Sequence, residues 1–147
     1  MNALPYQSQR LSIDHDSAIG HARRVMVELA EDAQVAQDVT DRAALVLNEL
    51  AMNVVRHTRG GDLFVQVVRE GVEIVACDNG PGIGNVGEAM RDGHSTAGTA
   101  GNGLGAVRRT ASSFELHSLV GVGTIAAARI YGNAPVGAPR LGALCVA

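Results

Sequence analysis

The apolar positions of the chain fall into two periods. Ile19, Ala22, Met26, Leu29 and Ala30 recur at the three-to-four spacing of a helix face. Asp14 or Asp16 stands where such a helix takes its N-cap. A polar break, Glu31–Gln37, separates this segment from a second one starting near Asp38 or Thr40, whose stripe is Val39, Ala43, Val46, Leu47, Leu50 and Val54. Arg59-Gly60-Gly61 predicts its end, with glycine in the C-terminal position. Elsewhere the pattern is that of strands. Residues 6–13 (YQSQRLSI) predict a short strand. Leu63–Arg69 and Val72–Ala76 predict a hairpin around Glu70-Gly71, a turn too short for anything but antiparallel pairing. A glycine-rich region then leads into a short helix, Leu104–Ala111. A second hairpin, Phe114–Leu119 and Thr124–Tyr131, turns at Gly121–Gly123.

The predicted order is β-α-α-β-β-loop-α-β-β. It implies an α/β (α+β) two-layer sandwich, a mostly antiparallel mixed sheet with helices on one face. Gly132–Arg140 (GNAPVGAPR) has linker composition, and the last residues, LGALCVA, are apolar and strand-like. The expected division is a domain over 1–131, then a linker and the possible start of a following domain over 132–147.

Composition narrows the function classes. The net charge is -3, and the only basic runs are the pairs Arg23-Arg24 and Arg108-Arg109, which argues against nucleic acid as partner. Cys77 and Cys145 are too few for a disulfide framework or a zinc site. The histidines His15, His21, His94 and His117 show no metal spacing and read as surface residues. No apolar stretch approaches the roughly 20 residues that span a bilayer, and no signal-peptide core is visible, so a cytoplasmic protein is expected. The chain has no lysine; all twelve basic residues are arginine. A Walker A loop and a eukaryote-type protein kinase both need a lysine on the phosphates, so both are excluded.

Nine of the eighteen glycines fall between Gly80 and Gly105, and glycine in such density has a backbone cost that calls for a reason. Three constellations surround them. Glu49 and Asn53 lie one turn apart on a helix face; their oxygens suit a hard cation and a nearby hydroxyl, or form an ordinary solvated face. Asp78-x-Gly80-x-Gly82 ends a strand; it is either an Asn-Gly and Pro-Gly turn or an acid that accepts from a ring amino group, with glycines admitting a flat base. Gly101-x-Gly103-x-Gly105 opens a helix, as a hinge or as a set of N–H groups for phosphate oxygens. Gly82–Gly87 also matches G-x-G-x-x-G, but no acid lies between Gly93 and Phe114 and repeated βαβ units are lacking, which excludes a dinucleotide fold.

The order of these motifs, followed by Gly123-Thr124 at the start of the last strand, resembles the GHKL ATPase superfamily of gyrase B, MutL and the histidine kinases. The resemblance covers residues 8–131. It implies that Asp78 reads the adenine amino group, that Gly80 and Gly82 admit the base, and that Asn53 holds magnesium. It further implies that Gly101, Gly103 and Gly105 hinge a lid and contact phosphates, and that Thr124 completes the adenine pocket. The stretch from Glu88 to Leu116 is similar to the bacterial anti-sigma-factor serine/threonine kinases of the stress switch-kinase subgroup. The implied ligands are ATP and Mg2+, with Glu49 as the catalytic residue that orients or deprotonates a hydroxyl. The implied partner is a STAS-domain anti-anti-sigma protein, with a sigma factor or a PP2C-type phosphatase domain as further candidates. A homodimer through the Ile19–Leu29 helix or the strand Gln7–Ile13 is open. The alternative is a nucleotide-gated binding module with little phosphotransfer. The small residues Ser95–Gly101 are expected to form a lid that exchanges amide protons faster without nucleotide.

Overall fold

The computed structural model describes residues 8–69, 71–91 and 103–132. Its elements are β1 (Ser8–Ile13), α1 (Asp16–Asp32), α2 (Gln37–His57), β2 (Gly61–Val68), β3 (Gly71–Asp78), α3 (Val86–Ala89), α4 (Gly103–Thr110), β4 (Ser113–Leu119) and β5 (Gly123–Tyr131). The five strands form one sheet in the order β1-β2-β3-β5-β4. All four pairings are antiparallel. The expected two-layer arrangement is present, the expected elements follow in order with one further short helix, α3, between β3 and α4, and β1 is a sheet edge.

Alternation along the strands decides which face the helices cover. Leu11 and Ile13 of β1, Leu63, Val65 and Val67 of β2, Val72, Ile74 and Ala76 of β3, and Ala126, Ala128 and Ile130 of β5 are all buried. They share one core with Ala22, Met26, Leu29 and Ala30 of α1 and with the α2 stripe Val39, Ala43, Val46, Leu47, Leu50 and Val54. α4 closes the core with Leu104 and Val107. Arg42 ties α2 to the far ends of β5 and α4, donating to the carbonyls of Tyr131 and Thr110. The opposite sheet face carries a cross-strand ion pair: Glu73 on β3 is in register with Arg129 on β5, and Oε1 lies 2.5 Å from Nε.

The structure corrects three local expectations. The N-cap of α1 is His15, not Asp14 or Asp16: its Nδ1 accepts from the Ser17 N–H at 3.2 Å. Helix α2 ends at Thr58 rather than at the glycines: the Thr58 hydroxyl donates to the Val54 carbonyl at 2.7 Å, and its oxygen accepts from the Gly60 N–H at 2.9 Å. The one-turn helix α3, capped by Asn85 through the Glu88 N–H at 3.0 Å, is too short to leave an apolar period and goes unpredicted.

Candidate functional site: a polar row at the end of the sheet

Register places the chemistry. One row crosses all five strands as Ile13, Gly61, Asp78, Thr124 and Ser118. Residues in one row share a face, and Ile13 is fully buried under the helices. Asp78, Thr124 and Ser118 therefore continue the helix-covered face at the point where the apolar core stops. Approaching that end, the paired side chains shorten, from Ile74 with Ala128 to Ala76 with Ala126. The end of α2 roofs the row: a Cβ on Gly61 would stand 3.1 Å from Val54 Cγ1, and one on Gly80 would stand 2.6 Å from Thr58 Cγ2.

Hydrogen bonds hold the row in shape. Asp78 Oδ1 accepts from the Gly80 N–H at 2.8 Å, which folds the chain back after β3. Ser118 Oγ accepts from the Ile83 N–H at 2.7 Å and lies 2.8 Å from Thr124 Oγ1. The loop after β3 is thus fastened to both strands of the second hairpin. The Gly121 N–H donates to the Pro81 carbonyl at 2.8 Å, a further tie.

Where the loop after β3 meets the second hairpin, Gly82 and Gly123 are required by close backbone approach. Gly82 has φ +75°, and a Cβ there would fall 2.7 Å from the Leu119 carbonyl carbon and 3.0 Å from Val120 Cα. Gly123 has φ +147°, and its Cβ would collide with the Asp78 carbonyl. Gly82 of the D-x-G-x-G motif and Gly123 at the start of β5 therefore let the loop lie directly on the β4–β5 turn, a packing role that the sequence motif alone leaves open.

Glu49 and Asn53 lie one turn apart on α2, both half-buried. Asn53 Nδ2 is buried without a hydrogen-bond partner among the described residues. Such an unmet amide N–H is uncommon in a folded domain. Amide oxygen beside carboxylate is also the donor chemistry magnesium takes, so the residues present fit that ion. Gly103 opens α4 with φ +54°, and Gly105 is buried within it. Gly101 and the expected lid residues Ser95–Gly101 lie outside the described residues.

Two contributors escape the motif reading. Thr58 caps α2 and lies against Gly80. Ser118 was legible only as a polar residue in phase with Phe114 and Leu116, a break in the core-side alternation of β4 opposite Thr124. Among the described residues no cluster of three or more His, Cys, Asp or Glu is placed to hold a metal, and no helix is long and apolar enough to cross a membrane.

The five-stranded antiparallel sheet with its helical layer is the fold of an ATPase-type α/β domain. The family profile of the histidine kinase-like ATPase domain matches residues 13–130, and the chain belongs to that family. Among curated proteins it is similar to the serine/threonine-protein kinase RsbT of Bacillus subtilis (strain 168), with 37% identity over 87 residues. That match spans 56% of this chain and 65% of the relative, so the chain spans less than two thirds of that relative's length.

Proposed function

We propose that the domain is an ATP-dependent serine/threonine protein kinase of the anti-sigma-factor type, which phosphorylates a STAS-domain anti-anti-sigma protein in bacterial stress or sigma-factor regulation. The observation that carries the reading is the row Asp78–Thr124–Ser118 beneath the end of α2, with the unmet amide of Asn53 further along the same helix. The similarity to RsbT adds the serine/threonine kinase class.

Each residue acts in an ordinary chemical role. With Oδ1 turned to the Gly80 N–H, Asp78 offers Oδ2 to the exocyclic amine of adenine, a charge-assisted bond. Thr124, beside it in register, offers its hydroxyl to the same edge of the base. The N–H groups opening α4 at Gly103 and Gly105 face the phosphates, where the helix dipole favours negative charge. Asn53, through its side-chain oxygen, would hold magnesium, which when bound neutralises phosphate charge. Glu49 accepts the proton of a partner Ser or Thr hydroxyl as that oxygen bonds to the γ-phosphorus. The bond from the γ-phosphorus to the bridging oxygen breaks, and ADP leaves.

The test uses the purified protein, ATP-magnesium and STAS-domain proteins of the same organism, with phosphate transfer read by mass spectrometry. Transfer by wild type that falls at least about 100-fold in Glu49→Ala, with ATP affinity kept, is the expected result for a lost general base. Absence of transfer to every STAS protein, with ATP bound, would overturn the kinase reading.

A further inference from the structure

We infer that Ser118 is a positioning residue for base selectivity: it fixes the Thr124 hydroxyl as a hydrogen-bond acceptor, so that this end of the pocket takes a 6-amino purine and discriminates against a 6-oxo purine. The inference rests on the reading of Asp78 and Thr124 as the adenine site.

Proton counting leads to it. Ser118 Oγ has one hydrogen to give and two lone pairs to accept with. One lone pair takes the Ile83 N–H at 2.7 Å. Two oxygens are within reach of the hydrogen: the Gly123 carbonyl at 3.2 Å and Thr124 Oγ1 at 2.8 Å. A carbonyl has no proton, so the contact to Gly123 exists only if Ser118 donates it. The Thr124 hydroxyl must then donate to Ser118, filling the second lone pair. This is the one arrangement in which the contacts to the Ile83 N–H, the Gly123 carbonyl and Thr124 Oγ1 are all hydrogen bonds at once. In the reverse arrangement Ser118 donates to Thr124, and the Gly123 contact loses its hydrogen.

The consequence lies at Thr124. With its hydrogen committed to Ser118, Thr124 Oγ1 presents only lone pairs. Asp78, in register beside it, also presents only lone pairs when ionised. Two acceptors side by side match the two hydrogens of an exocyclic amine. A 6-oxo purine would face both with an oxygen. A site that leaves polar groups facing the wrong partner rejects the analogue far more strongly than it rewards the right one. Ser118 thus touches no base; it acts through the orientation of Thr124.

The experiment measures Kd for ATP and for inosine triphosphate (ITP) by calorimetry on the whole chain. The proteins are wild type, Ser118→Ala, Ser118→Thr, Thr124→Val, the Ser118→Ala/Thr124→Val double variant and Asp78→Asn. In Ser118→Ala the Thr124 hydroxyl is free to turn and donate to a 6-oxo group. The expected result is a fall of about tenfold in the ATP-over-ITP preference, the size of one hydrogen bond made or lost. Ser118→Thr keeps the hydroxyl and restores the preference. The double variant changes the preference no further than Thr124→Val alone, because Ser118 acts only through Thr124. A merely structural Ser118 would weaken both nucleotides equally. An unchanged preference in Ser118→Ala, with wild type binding ATP and Asp78→Asn failing to, overturns the role of Ser118 and leaves the adenine site standing. Wild type that does not bind ATP, or Asp78→Asn that binds it as well as wild type, overturns the adenine site itself and the inference with it.

Discussion

Gly123→Ala and Gly121→Ala form a matched pair that isolates what brings Asp78 beside Thr124. Gly121 lies in the β4–β5 turn and Gly123 opens β5 just after it, and both have positive φ, +147° at Gly123 and +79° at Gly121. An added methyl at Gly121 meets nothing within 4 Å. At Gly123 it overlaps the Asp78 carbonyl oxygen and stands 3.0 Å from its carbon and 3.1 Å from Asn79 Cα. Those atoms are backbone, so no rotamer change relieves the overlap. Gly121→Ala therefore costs backbone strain alone, about 1–2 kcal/mol. Gly123→Ala costs strain of about 1–3 kcal/mol and, in addition, forces β5 away from β3 by roughly an ångström to reach an ordinary contact distance. With an unfolding entropy of about 0.3 kcal/mol/K for a domain of this size, the melting temperature falls by roughly 3–6 °C for Gly121→Ala and by about 10 °C or more for Gly123→Ala. ATP affinity separates them further. A displacement of that size misaligns Asp78 and Thr124, so Gly123→Ala loses at least about tenfold in Kd, the worth of one well-placed hydrogen bond, while Gly121→Ala stays within about twofold. Differential scanning fluorimetry and calorimetry on the two variants read both effects. Equal ATP affinity in the two, with the stability difference present, would show that the strand register does not build the pocket.

Other substitutions probe the remaining parts. Asn53→Ala should abolish the magnesium dependence of ATP binding while leaving the weaker magnesium-free affinity in place; calorimetry with and without EDTA decides it, and retained magnesium dependence would remove Asn53 from the metal site. Glu73→Ala leaves the Arg129 charge buried without its carboxylate and should cost about 3–5 kcal/mol in urea unfolding, whereas Glu73→Leu with Arg129→Met should regain most of it. Because that pair lies on the sheet face away from the row, ATP affinity should hold in both variants, provided binding is measured at a temperature where each is folded.

Sequence periodicity located the elements because burial here is one-sided. The α2 stripe and the core-facing positions of β2 are repeats that a single covered face imposes. Local capping was less legible. His15 competes with two aspartates for the α1 cap, and a threonine supplied the α2 stop where glycine was expected, because short-range hydrogen bonds at a helix end depend on one side chain's rotamer. The site was legible as a set of motifs but not as a row. Glu49 and Asn53 are four residues apart, so helix geometry alone puts them together. Asp78 and Thr124 are separated by a long stretch of chain, and only the strand order, with β5 between β3 and β4, brings them into register. Ser118 carries no motif at all and appears only when that register is known.

The same register explains why the strand ends in Asp-Asn-Gly-Pro-Gly. A strand that stops at the core's edge leaves its last core-facing residue half out of the apolar layer. In β3 that residue is Asp78, flanked on the same face by Thr124 and Ser118 and roofed by the end of α2. Polar groups in such a place destabilise the fold unless each has a partner. Asp78 Oδ1, Ser118 and Thr124 find theirs within the chain, through the Gly80 N–H, the Ile83 N–H and the Gly123 carbonyl. Those bonds require the loop to lie directly on the β4–β5 turn, and glycine at Gly82 and Gly123 is what makes that approach possible. The glycines and the acid are therefore one device: the acid needs the tight loop to fix one of its oxygens, and the loop needs glycine to come close enough. One polar atom stays outside this device: among the described residues the buried Asn53 Nδ2 has no hydrogen-bond partner, and in the proposed function it and Asp78 Oδ2 are the atoms left for the ligand.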